Sequence, residues 1–547
     1  MKNTAVKYGA IFIFILIFVY GLGVFSVYES YEALYPTFFS GSVTEGVPVN
    51  IWYFVSHFLL AEVYMLFYSV TSGIPWYEIF LFAYVAISLF TILLLFLKNN
   101  QHAGFILKII PLVLTLVLAT EFILVFQYTR VAFALGIAST LALLAGGKNN
   151  KLLGWWSCAL FVLCLLSRHE VGTFVFLMQW LGVLLVSSRS YSKTAIIFNT
   201  AVFALVFGFI AYDRLTTDDF LKQFEPELGY QLLDRGNIVP LSSMTNAVDS
   251  AKYTAVVNLI TDQEYTTIAF LRSLVAENAF VGVNKELILR AVDILSDKLR
   301  HSLGLLIIYI GLLLIVMRQS FITDKKEAIK IVLFNLSFWL IVVATTYFIM
   351  LQYYTLDAML VMMCFILLSK IDFAAVRWIY ITSIVAGMII LTGTVIHFKQ
   401  QQLYVADLSG KLQSRKKFTD ELKRRYPGKI LVPGNEQNQM ILFSLRPFQM
   451  HDFSVFSRLY LFDADVIYIQ DNYNAYLRKE CNCNTKSYTD FMDFLESKKE
   501  SVIIISDPER VEVMKYYCSV VRKKNYNIVP IDSFSVEGNS ATVYTFK

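Results

Sequence analysis

Charge is what this sequence has least of. Asp, Glu, Lys and Arg make up 16% of the 547 residues, against roughly 25% in soluble globular chains. The shortage is local. The 150 residues from Phe398 onward carry 40 of the charged side chains, an ordinary soluble density. The first 397 residues hold the other 49, and 22 of these fall between Asp213 and Arg300. What remains is apolar over long runs, which excludes a soluble enzyme, a disordered chain and a collagen-like one. A formal net charge of +5 spread over this length forms no basic stripe, so nucleic acid is excluded as a partner.

Cysteine is scarce too, at six residues. Cys158, Cys164 and Cys364 lie in apolar runs and read as core. Cys481, Cys483 and Cys518 lie in the polar tail, where a bridge from Cys481 or Cys483 to Cys518 is open if the tail is extracytoplasmic. No His stands at ligand spacing beside them, which argues against zinc. No G-x-G-x-x-G follows a strand, so a dinucleotide site has little support.

The chain does have eleven apolar runs, near 9–28, 79–97, 105–126, 130–146, 152–166, 173–187, 194–212, 303–317, 329–350, 356–370 and 377–397. A run of about 18 apolar residues is long enough to cross a bilayer. No small-residue cleavage site follows the first run, which therefore reads as a retained anchor. The stretch 51–70, IWYFVSHFLLAEVYMLFYSV, is a twelfth candidate, and basic residues arbitrate. With eleven crossings and a cytoplasmic N-terminus, 14 of the 16 Lys and Arg of the helical part fall at cytoplasmic ends. Counting 51–70 as a crossing reverses most of them against the positive-inside rule. So 51–70 is expected to lie along the outer surface as an interfacial helix. Arg130 and Arg168 are then the two basic residues left outside, beside Glu29, Glu32, Glu45, Glu62, Glu78, Glu121, Glu170 and Asp357.

The expected fold is a polytopic α-helical membrane module over 1–397, followed by a soluble, extracytoplasmic α/β domain over 398–547. The module carries an outer loop at 29–76 and an outer insertion at 213–302, in which apolar residues three and four apart predict two to four short helices. In the tail, KILVP (429–433), DVIYIQ (465–470), SVIIIS (501–506) and ATVYTF (541–546) read as strands. TDFMDFLESKK (489–499) and PERVEVMKYYCSVVRKK (508–524) read as helices, the second with Asp507 as its cap and Pro508 in its first turn. Alternating strands and helices argue a small α/β domain.

The segment after the first crossing reads YESYEALYPTFFSG, from Tyr28 to Gly41. NIWYFVSHFLLAEVYMLFYSV and then GIPWYE lead into the second crossing. This layout resembles the GT-C superfamily of polytopic membrane glycosyltransferases, including the O-antigen-modifying and aminoarabinose-type enzymes of bacteria. In that family the first outer loop opens with an acidic pair and a short helix ending in Gly, then a surface helix and a Pro/Trp turn. Here the acidic pair is Glu29-x-x-Glu32, where the family more often has adjacent acids. The resemblance implies a transferase of the bacterial cytoplasmic membrane that takes a sugar from a polyprenyl-phosphate carrier to an acceptor glycan, lipid or protein.

Such a reaction needs a base for the acceptor and cations for the leaving phosphate. Glu32 matches the acidic position of the family best, with Glu29 one helical turn away, and a carboxylate within hydrogen-bond reach suits that role. Arg binds phosphate through a bidentate fork, so Arg130 and Arg168 are expected to face one lipid phosphate. The plainer reading pairs them with Glu121 and Glu170. His169 adds a donor, Glu170 orients it or holds a divalent metal, and His57 is a weaker supporting candidate. Asp357 either contacts substrate or caps its helix. The alternatives are a polysaccharide polymerase or ligase, a non-enzymatic transporter of lipid-linked glycan, and an assembly protein whose tail binds a partner.

Overall fold

The computed structural model describes residues 2–28, 34–50, 55–99, 105–145, 151–186, 193–216, 238–258, 265, 267–274, 285–349, 352–373, 381–442, 444–450, 452–460, 476–477, 479–482 and 488–547. Along the chain the helices are α1 (Lys2–Gly23), α2 (Leu34–Phe39), α3 (Val55–Val70), α4 (Trp76–Asn99), α5 (Phe105–Ile123), α6 (Tyr128–Ala145), α7 (Lys151–Ser167), α8 (His169–Leu181) and α9 (Lys193–Thr216). Then come α10 (Ala247–Val257), α11 (Ile268–Leu274), α12 (Lys285–His301), α13 (Leu303–Thr323), α14 (Lys325–Ile349), α15 (Tyr353–Lys370) and α16 (Ile381–Arg425). The tail adds α17 (Asn435–Leu442), α18 (Tyr488–Ser497) and α19 (Pro508–Val521). The strands are β1 (Val27–Tyr28), β2 (Val125–Phe126), β3 (Ile430–Pro433), β4 (Arg458–Leu459), β5 (Val502–Ser506), β6 (Ile528–Val536) and β7 (Asn539–Phe546).

A helix lies at each of the eleven apolar runs. Among the described residues seven helices are long and apolar enough to cross a membrane: α1, α4, α6, α9, α13, α14 and α16. In hydrocarbon every backbone polar group must be satisfied within the segment, which a helix achieves alone. The chain divides into two units. The first takes Met1–Glu29, Glu78–Phe209 and Val283–Leu408. At its centre α6 packs against α7, α8 and α15, with nearly every side chain enclosed. Interhelical hydrogen bonds tie this centre together. Ser139 donates to the Ser157 carbonyl (2.7 Å), Gln179 to Ser139 (2.9 Å) and Asn199 to Gln179 (2.9 Å).

Two helix ends differ from expectation. The apolar runs continue to 28 and 126, but α1 and α5 stop at Gly23 and Ile123, and the remainders pair as parallel strands, Val27 with Val125 and Tyr28 with Phe126. Both short strands are buried. Apolar content alone cannot tell a buried strand from the last turn of a helix. The last long helix also runs on: α16 continues without a break through residue 397 to Arg425.

The second unit gathers Ser30–Tyr77, Ile210–Gly282 and Ser409–Lys547. Its core is a five-stranded sheet in the order β4-β3-β5-β7-β6, parallel from β4 to β5 and antiparallel beyond. β5 is buried throughout, as its run of Val and Ile requires. β6 was not expected as a strand. Pro530 interrupts its sequence, and a register shift between Pro530 and Asp532 lets it sit at the sheet edge, where a missing N–H is tolerated. Glu537 and Gly538, both at positive φ, make the two-residue turn to β7. DVIYIQ (465–470) and Cys483 lie outside the described residues. Cys481 and Cys518 are buried thiols, so no bridge joins them. Asp507 holds the N-cap position of α19, yet its side chain makes no capping bond and accepts instead from Gln437 (3.3 Å).

The other two segments of this unit pack on the sheet domain. α10 lies against α19, and the Arg522 guanidinium sits 4.0 Å over the Tyr265 ring. Arg458 of β4 pairs with Glu45 of the loop after α2. Around α3, Phe39, Tyr64 and Tyr77 form an aromatic cluster with ring centroids 5.6–6.0 Å apart.

Candidate functional site

Buried charge gathers where α5 hands over to α6. Leu124, β2 and Gln127 turn the chain back on itself, so Glu121 near the end of α5 meets Arg130 in the first turn of α6. Arg130 Nη1 donates to the backbone carbonyl of Glu121 (3.0 Å) and to its Oε2. The arginine is only 2% exposed. His397 of α16 presents Nδ1 to the other carboxylate oxygen at 3.6 Å. One turn further along α16, Gln401 Oε1 lies 2.6 Å from the Thr120 hydroxyl. Two side chains of α16 therefore rest on two consecutive residues of α5.

Glycine brings α16 close to α13 as well. A Cβ on Gly304 of α13 would stand 2.4 Å from the His397 backbone nitrogen, and one on Gly393 would stand 2.8 Å from the Ile308 nitrogen. Small residues at such crossings let two backbones approach in a membrane bundle. The Gly304 N–H also donates to Gln400 (3.0 Å).

A second buried acid flanks this corner. Glu78, in the first turn of α4, accepts a hydrogen bond from the Tyr28 hydroxyl. Tyr28 is the last residue of β1, and its ring meets that of Phe126 at 5.7 Å.

Arg168 occupies the break between α7 and α8 and is the N-cap residue of α8, with extended backbone. Its Nη1 donates to the Tyr128 hydroxyl (2.9 Å) and to Thr129 Oγ1, and its guanidinium lies 5.1 Å over the Tyr128 ring. Glu170 places one carboxylate oxygen 3.4 Å from Arg168 Nε and 3.5 Å from His169 Nδ1. The Arg168 side chain is 24% exposed and that of Glu170 48%, while His169 is buried.

The two arginines expected to share a phosphate thus reach the same helix start in different ways. Arg168 bonds to the first two residues of α6, and Arg130, the third, turns to Glu121. Both meet the carboxylate that the plainer reading assigns to them. Glu29 and Glu32 lie outside the described residues. His57 lies in α3, and its side chain is likewise outside them. Asp357 is half-buried and is the fifth residue of α15, whose N-cap is Gln352, so the capping reading of Asp357 is set aside. Sequence reasoning missed His397 and Gln401. Nothing in the pattern marks them, because the residues they meet are some 280 positions away.

Among the described residues no group of three or more His, Cys, Asp or Glu is placed to hold a metal ion. No protein-family model, no curated protein and no solved structure matches the chain.

Proposed function

We propose that the chain is an integral-membrane glycosyltransferase. It moves a sugar from a polyprenyl-phosphate-linked donor to an acceptor hydroxyl or amine on the outer face of a bacterial cytoplasmic membrane. The reading includes eleven crossings, a cytoplasmic N-terminus and an extracytoplasmic C-terminal domain. The observation that carries it is the start of α8. There a partly exposed guanidinium, a buried histidine and the N-terminal N–H groups of a 13-residue helix stand together beside Glu170, a combination of donors suited to a phosphate. Tyr128 and Thr129 hold one end of the guanidinium, which fixes the plane it offers.

In this scheme Glu32, or Glu29 beside it, takes the proton of the acceptor group. The acceptor attacks the anomeric carbon from the face opposite the leaving group. The bond from that carbon to the phosphate oxygen breaks, the configuration inverts, and the carrier phosphate departs with the electron pair, stabilised by Arg168. Arg130 acts at one remove, holding Glu121 and the α5–α6 corner in place.

The test is transfer of a radiolabelled hexose from its polyprenyl phosphate in membranes containing each variant. Glu32→Gln abolishes transfer at normal protein levels, since a proton acceptor alone is lost. Arg168→Lys lowers it at least tenfold, because Lys keeps the charge and loses the fork. Full activity in the Glu29→Gln, Glu32→Gln double variant, or in Arg168→Lys, contradicts the scheme. One observation favours a second reading, a non-enzymatic transporter or assembly protein. Arg130 is engaged by Glu121, and Arg168 lies 3.4 Å from Glu170, so each guanidinium meets a carboxylate. That reading expects carrier binding without sugar transfer.

A further inference from the structure

His397 and Gln401 stand four apart on α16, so their side chains lie one above the other on one face. Each uses one end to meet α5: His397 Nδ1 faces Glu121 and Gln401 Oε1 faces Thr120. Each leaves its other end, Nε2, buried with no hydrogen-bond partner among the described residues. His397 is 2% exposed and Gln401 7%. Leaving such a group unsatisfied is costly, and two on one face of the same helix call for a shared occupant.

The charges around them say what that occupant is. A carboxylate only accepts hydrogen bonds, so the proton of the His397 ring belongs on Nδ1, toward Glu121. Arg130 already balances Glu121, so a neutral imidazole keeps the cluster free of net charge. His397 Nε2 is then an acceptor, whereas the Gln401 amide nitrogen is a donor. An oxygen that donates to the first and accepts from the second satisfies both. The Thr120 hydroxyl has a single proton and lies 2.6 Å from both the Val117 carbonyl and Gln401 Oε1. If that proton goes to Val117, the Gln401 amide turns over, and a water with two protons serves both acceptors.

We propose that His397 and Gln401 form a buried binding site for one hydroxyl oxygen, filled at rest by an ordered water. Glu121, itself anchored by Arg130, sets the imidazole tautomer that receives the hydroxyl proton in a hydrogen bond. Such a site takes either a permanent water or the hydroxyl of an alcohol-bearing substrate that displaces it. Glu121 and Arg130 are positioning residues for the imidazole. The site stands apart from the transferase reading, since it rests on two buried nitrogens that have no partner among the described residues.

The experiment is a density map of the full chain in lipid nanodiscs, at a resolution that shows ordered waters, with nitrogen-15 spectra of the histidine rings assigned through His397→Gln. The expected result is one oxygen within hydrogen-bond reach of both side chains, and a His397 ring protonated at Nδ1 alone. Protein or lipid carbon in that position, the two side chains bonded to each other, or a doubly protonated ring overturns the proposal. The source of the hydroxyl follows from Gln401→Leu and His397→Phe, read by the hexose-transfer assay and by carrier binding. A fall in transfer of about a hundredfold or more at unchanged carrier binding assigns it to a substrate. Unchanged transfer assigns it to water. If the unmodified protein transfers no sugar, the transferase reading falls while the map still decides the site.

Discussion

At the scale of single residues, Arg130 and Arg168 look alike in sequence and differ in surroundings. Each follows a helix junction, and each is a lone cation in an apolar part of the chain. The structure encloses Arg130 with Glu121 and leaves Arg168 partly open. Removing one partner of an enclosed ion pair strands the other charge and is destabilising by about 3–5 kcal/mol, whereas replacing both with apolar residues of similar size is often neutral. Arg130→Ala is therefore expected to lower the unfolding temperature in detergent sharply, and Arg130→Met with Glu121→Leu to restore most of it. An unchanged midpoint in Arg130→Ala contradicts the enclosed pair.

Asp532 makes a residue-scale case in the tail. Tyr426 (2.6 Å) and Arg425 (2.9 Å) both donate to its Oδ2, and the Tyr426 hydrogen bond foremost, with Arg425, holds its carboxyl below the usual range. A carboxyl lowered on folding stabilises above its unfolded value, and that contribution disappears as pH falls through the lowered one. The gap in unfolding midpoint between the natural chain and Asp532→Asn should hold above the ordinary aspartate range, about 3.9, and close as pH falls below it. A gap independent of pH removes the carboxylate from the account.

Among elements, the seam between α13 and α16 sets the geometry of the buried corner. Gly304→Ala puts a methyl group within 2.4 Å of backbone that cannot swing aside. Overpacking of this kind destabilises by about 1–3 kcal/mol. The expected signature is a lower midpoint in detergent, whereas Gly9→Ala, with open space around it, changes little. Equal effects from the two would mean that the seam is not tight.

Helices were legible from apolar run length, and β3, β5 and β7 from their β-branched runs, because those signals are local. β1 and β2 were not, since two residues of buried strand cannot be told from the end of an apolar helix. β6 was hidden by Pro530, and its turn carries Glu-Gly where Asn-Gly or Asp-Gly is the stronger hairpin signal. In the candidate site, Arg130 and Arg168 stood out as isolated charges. His397 and Gln401 acquire their meaning only when α16 is laid against α5, which no local pattern encodes.

Across the whole molecule, composition sets a charged tail from Phe398 apart, whereas the structure groups Ser409–Lys547 with Ser30–Tyr77 and Ile210–Gly282. The helical unit holds long apolar helices and few charges, while the second unit collects three segments far apart in sequence. In the proposed topology those stretches lie on the outer face, the side on which a lipid-linked sugar would meet its acceptor. The central claim is that Arg168 receives the phosphate of a polyprenyl carrier. The most direct measurement is native mass spectrometry of the purified full chain with undecaprenyl phosphate, beside undecaprenol as the neutral control. The account predicts one retained phosphate lipid per chain, little retention of the alcohol, and loss of the phosphate adduct in Arg168→Ala at an unchanged unfolding midpoint. Equal retention of the two lipids, or an adduct indifferent to Arg168→Ala, contradicts it.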